Sequence, residues 1–151
     1  METSDEVRMQ IELRYADSNR NLAAGLAGTN VAIMTFYLFF GFDLTTSAQV
    51  DPTLFQGTLC LIILTLFLFV FAAMAYYVYT EALLKGRPEA VGYLRRADGF
   101  LFVSLLAITL EPSLIMFSAR LPYVGALALT LWFVSLVIMY IDREHQRHAP
   151  K

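Results

Sequence analysis

Four long apolar blocks, separated by short polar stretches, set the character of this chain. They cover residues 22–42, 54–79, 100–117 and 121–141. A helix rises about 1.5 Å per residue, so roughly 18–20 apolar residues cross about 30 Å of hydrocarbon. Most of the blocks reach or exceed that length. The pattern predicts an all-α membrane protein in which four transmembrane helices form two hairpins. Composition points the same way. The 151 residues are 58% apolar and 16% charged, where a soluble domain has about 45–50% and about 25%.

The polar stretches carry start and stop signals. Thr3 and Glu6 have capping-box spacing, which predicts a helix from about Ser4. No glycine or proline follows before Gly25, so a cytoplasmic N-terminal helix over 4–21 is expected to continue into span one. Within it, Arg14/Asp17 and Asp17/Arg20 have i,i+3 spacing and can pair at the surface. Asp51-Pro52 reads as an N-cap acid with proline at the first helical position of span two. Lys85, Gly86 and Pro88 read as its end. The polar stretch 80–98 is the middle loop, from which Pro88 can open the third helix. Pro122 opens span four after a very short turn. The whole chain is expected to be one integral membrane domain.

Charge gives the expected orientation. Of eleven Lys and Arg residues, ten fall in the N-terminal segment, the middle loop and the C-terminal tail. Arg120 stands alone on the other side. Basic residues near span ends resist translocation, so both termini are expected in the cytoplasm. Tyr76, Tyr77 and Tyr79 cluster at the cytoplasmic end of span two, and Tyr140 at that of span four, as interfacial rings do. The acidic, polar start lacks the pattern of a signal peptide, and "HAPK" is no prenylation box. The expected location is the cell membrane, multi-pass, which in a bacterium is the inner membrane.

Against that frame "ITLEPSLIM" (108–116) raises a question of chemistry. With Asp98 at the cytoplasmic edge, Glu111 lies about 20 Å deeper along a straight helix. A span stopping at Pro112 covers only about 16 Å from Phe100, too little to cross. A charge at the centre of a span costs roughly 2.5–3.5 kcal/mol unless it faces protein or water, pairs, or is protonated. Pro112 lacks the N–H that would bond the Ile108 carbonyl, and so kinks a helix. Glu111 and Pro112 are therefore candidates for an ion or proton pathway. The alternative is structural: Glu111 bonds Asn30, Thr109 or a serine and fixes helix register.

Asn30 is the second polar group at depth. It ends "AAGLAGTN", where Ala24, Gly25, Ala27 and Gly28 make a smooth face. Such small-residue faces let membrane helices approach closely, either a neighbouring span or a second subunit. Gly125 and Ala128 offer a weaker version. "RYAD" (14–17) and "RRAD" (95–98) echo each other at an offset of 81 residues, which sets Asn30 opposite Glu111. A duplication would give two parallel hairpins related by an axis along the membrane normal, though apolar segments also match one another easily.

Signatures of catalysis, phosphate binding and redox chemistry are missing from the sequence, so no enzyme, cofactor or nucleic-acid partner is expected. Cys60 is the single cysteine and reads as a small apolar residue. His145 and His148 have i,i+3 spacing but lie in a basic tail, so no metal site is expected. The expected partners are the lipid bilayer and either further copies of the chain or another membrane protein. Two functions follow. One is a homo-oligomeric channel or carrier for protons, cations or a small solute, with Asn30, Glu111 and Pro112 in its pathway. The other is a non-catalytic accessory or scaffold subunit of a larger membrane complex.

Overall fold

The computed structural model describes the backbone of residues 4–46 and 50–148, and the side chains of 6–39, 50–134, 136 and 137. It is all-helical: α1 Ser4–Thr46, α2 Pro52–Leu84, α3 Ala90–Ser118 and α4 Pro122–His148. Thr3 of the capping box and the side chains of Tyr140, His145 and His148 lie outside the described residues.

Local chemistry sets the breaks. The Asp51 carboxylate accepts the N–H groups of Thr53 and Leu54 at 2.9 and 3.0 Å, two donors that the first turn of α2 cannot otherwise satisfy. At the other end Lys85 caps the helix and donates to Glu81. Gly86 then turns the chain with φ +62°, a conformation that disfavours any side chain. The turn between α3 and α4 uses Arg120 at φ +57°, and Pro122 is the first residue of α4.

Packing follows a seven-residue rhythm. On α1 the fully or nearly fully buried residues are Ala16, Ala23, Asn30 and Tyr37; on α3 they include Ala90, Ala97, Ser104, Glu111 and Ser118. On α2, which lies between them, burial alternates by three and four through Phe55, Thr58, Ile62, Thr65, Phe69, Ala72, Tyr76 and Tyr79. A repeat of 3.5 residues keeps one seam of a helix facing its neighbours. The seam of α1 meets that of α3 at the offset of 81 anticipated from "RYAD" and "RRAD". Asn30 pairs with Glu111 and Tyr37 with Ser118 at this separation. The two helices run parallel, with α2 antiparallel to both.

The polarity of this seam is inverted relative to a soluble bundle. Its members include Asn30, Thr58, Thr65, Ser104, Glu111, Ser113 and Ser118, all buried. Large apolar groups such as Phe36, Phe39, Leu64, Phe67, Phe71 and Val103 point outward. That suits a hydrocarbon surround, where small and polar residues hold helices together and apolar ones face out. Three helices are long and apolar enough to cross a membrane; in the fourth, the apolar stretch among described residues is Pro122–Val134, 13 residues.

Among the described residues helix α4 leans on α3 alone. Trp132 Nε1 donates to Thr109 Oγ1 at 2.9 Å and to the Leu106 carbonyl at 3.3 Å. Gly125 lies against the Phe117 ring, where an added Cβ would come within 2.9 Å. A two-fold relation between hairpins would place α4 against both α1 and α3, as α2 is placed. Among the described residues the parallel register thus extends to α1 and α3, and α4 does not share it.

Candidate functional site: a buried Asn–Glu pair

The seam brings Asn30 and Glu111 together. Asn30 Nδ2 donates to Glu111 Oε1 at 3.0 Å, and both side chains are 0% exposed. Each falls one heptad from the next seam residue, so register delivers both without any loop. Thr65, from α2, stands beside the same carboxyl, but its hydroxyl donates to its own Leu61 carbonyl at 2.8 Å. Glu111 Oε2 and Asn30 Oδ1 are left without a hydrogen-bond partner. Unpaired buried polar atoms are costly, about 1–3 kcal/mol each, and so need an explanation.

Pro112 follows directly inside α3, which continues to Ser118. Its missing N–H breaks the ladder at the Ile108 carbonyl. Glu111 and Pro112 both line a groove of about 660 Å³ between α1 and α3. The remaining wall is almost wholly apolar, with Ile33, Phe36, Ile115 and Met116 among its members. Thr29, Ala32, Phe36 and Pro112 are exposed, so the groove opens on the flank of the bundle.

Polar contacts close the seam above and below. Towards the α1–α2 turn, Tyr37 Oη and Ser118 Oγ are 2.7 Å apart. Ser118 spends its hydrogen on the Ile115 carbonyl at 2.8 Å, which makes Tyr37 the donor. The Asp51 N–H also reaches the Ser118 carbonyl at 3.2 Å. Some 22 Å along α1 in the other direction, Tyr76 donates to Asp98 Oδ1 at 2.6 Å and Tyr15 to the same oxygen at 3.2 Å. Asn19 donates to Tyr76 at 3.3 Å, and Tyr79 to Glu12 at 3.1 Å. This cluster ties all three helices at one end.

Several of these roles differ from the sequence reading. Tyr76 and Tyr79 turn inward onto carboxylates, and only Tyr77 projects outward. Tyr37, Thr65, Ser118 and Trp132 drew no notice in the sequence, although a seven-residue count from Asn30 and Glu111 reaches Tyr37 and Ser118. Ala24, Gly25 and Gly28 are exposed, and a Cβ on either glycine would touch nothing within 4 Å. That smooth face has no partner within the chain among the described residues. No family model, curated protein or solved structure matches this chain.

Proposed function

We propose that the protein is a four-span membrane carrier or channel for protons, cations or a small solute. Both termini are cytoplasmic in this reading, and Glu111 is the group that binds the cargo. One observation carries it: a fully buried carboxyl with one oxygen held by Asn30 and the other free, on the wall of an apolar groove. A carboxyl kept only as glue would be expected to use both oxygens, since an idle one forfeits stability. Sealing at both ends of the seam supports a pathway along the groove or between copies of the chain, not a water-filled pore through one copy. No catalysis is part of this reading.

The test is flux in liposomes. With imposed proton and potassium gradients, the wild type is expected to conduct or exchange, and Glu111→Gln to lose that flux while keeping its fold. Equal traces from wild type, variant and empty vesicles would exclude the reading. The exposed face of Ala24, Gly25 and Gly28 favours a second one, an accessory subunit that docks a larger membrane protein through α1. It predicts stable co-purification with that protein and no effect of Glu111→Gln on flux.

A further inference from the structure

The unmatched atoms at the site are of one kind. Asn30 uses an N–H on Glu111 Oε1, and with the carboxyl ionised what remains, Glu111 Oε2 and Asn30 Oδ1, are acceptors. A ligand that completes the ionised pair therefore donates hydrogen bonds. Its charge, if any, is positive, since an anion would add acceptors beside a carboxylate. The wall of about 660 Å³ is apolar apart from Glu111 and a few hydroxyls, and a cavity of that size suits a small organic body. Tyr37, Ser118 and Asp51 close the end of the groove next to the α1–α2 turn. The exposed rim of Ala32, Phe36 and Pro112 leaves the flank open. Access is from whatever surrounds the helices, which for apolar helices of this length is lipid.

We propose that the α1–α3 groove binds an amphiphilic ammonium: a primary or secondary amine on a compact apolar body. Its N–H groups bond Glu111 Oε2, and its body lies along Ile33, Phe36, Ile115 and Met116. Asn30 is a positioning residue that fixes the carboxyl through its donation to Oε1. The inference deepens the carrier reading by naming a ligand class, and it rests on the same carboxyl. It adds a directional claim: the ligand arrives sideways out of the bilayer, through the open flank.

The test compares two probes of nearly equal shape, 4-phenylbutylammonium and 4-phenylbutan-1-ol, titrated calorimetrically into the full chain in nanodiscs and into empty nanodiscs. A charge-assisted hydrogen bond predicts that the wild type holds the amine about ten- to a hundredfold more tightly than the alcohol, after subtraction of lipid partitioning. Glu111→Gln is expected to reduce that preference to less than about threefold. Ala32→Phe, which fills the groove and leaves the carboxyl intact, is expected to weaken both probes. Equal affinity of the wild type for amine and alcohol overturns the proposal without any variant, so a poorly folding mutant does not blunt the test. A preference that survives Glu111→Gln in a folded protein overturns it too. Amine binding without flux upholds the site and removes the carrier reading. Flux that needs Glu111 with no preference for the amine does the reverse.

Discussion

At the residue scale the Asn30–Glu111 pair concentrates the cost and the interest of the molecule. Asn30→Leu removes the donor and leaves the carboxyl without its amide partner. Glu111→Leu removes the acceptor and strands the amide. Each is expected to destabilise the fold by about 1–3 kcal/mol. Replacing both at once should cost less than the two singles together, because neither polar group is then orphaned. Unfolding titrations in mixed micelles on the four members of this cycle check it; strict additivity would mean the two side chains do not interact. Glu111→Gln keeps the shape and an oxygen for Asn30, so its effect on stability is expected to be small while its effect on flux is large. Tyr76→Phe tests the other polar cluster. It leaves Asp98 with Tyr15 alone and the Asn19 amide without its acceptor, an expected loss of about 1–3 kcal/mol, read by the same titrations. Both acids were legible in the sequence, Glu111 by its depth within an apolar block and Asp98 as the edge of one. The direction of Tyr76 was not. A tyrosine at a span end satisfies an interfacial rule whether it points out or in, and only the helix's rotation distinguishes the two.

At the scale of elements, helix boundaries were the most legible feature, because caps act within a few residues. Asp51, Gly86 and Pro122 fall where the sequence put them. Which face of each helix turns inward was hidden. Every face of α2 is apolar, so periodicity in hydrophobicity gives no answer. The answer lies in small and polar residues recurring every seven positions, as in Ala16, Ala23 and Asn30 or Ala97, Ser104 and Glu111. Such a signal emerges once lipid, not water, is taken as the outer solvent. The α3–α4 contact is more fragile than this seam, since it depends on few groups. Gly125→Leu would drive a side chain into the Phe117 ring, and overpacking of this kind costs about 1–3 kcal/mol. Trp132→Phe removes both donations to α3. Each is expected to loosen α4 while α1–α3 stay assembled. Limited proteolysis should then cut the 119–122 turn faster, with the α1–α3 fragment remaining folded. Simultaneous loss of all four helices would show that α4 is integral to the seam.

At the scale of the whole molecule, α4 touches α3 and not α1 among the described residues. The flank bearing Gly25, Gly28, Ala32 and the groove is therefore not covered by α4 among the described residues. The small residues of α1 and the groove share this flank: Gly25, Gly28 and Thr29 lead along the helix to Ala32 and Phe36, and the last three of these line the groove. A helix laid along that face, from another copy or from a different protein, would approach α1 closely, because no Cβ stands at either glycine. The two glycines therefore separate folding from assembly. Within one chain a Cβ at Gly28 meets nothing within 4 Å, so Gly28→Leu is expected to keep the fold, with an unfolding free energy within about 1 kcal/mol of the wild type. If copies of the chain pair through this face, cross-linking and light scattering at a fixed detergent ratio should show the variant shifted towards monomer. If transport occurs between copies, flux through Gly28→Leu should fall together with the oligomer while the Asn30–Glu111 pair stays intact. If instead the groove of a single copy is the carrier, the variant should be monomeric and still active. Gly57→Leu on α2 is the control, since a Cβ there also meets nothing within 4 Å and Gly57 does not line the groove, and it should change neither assembly nor flux.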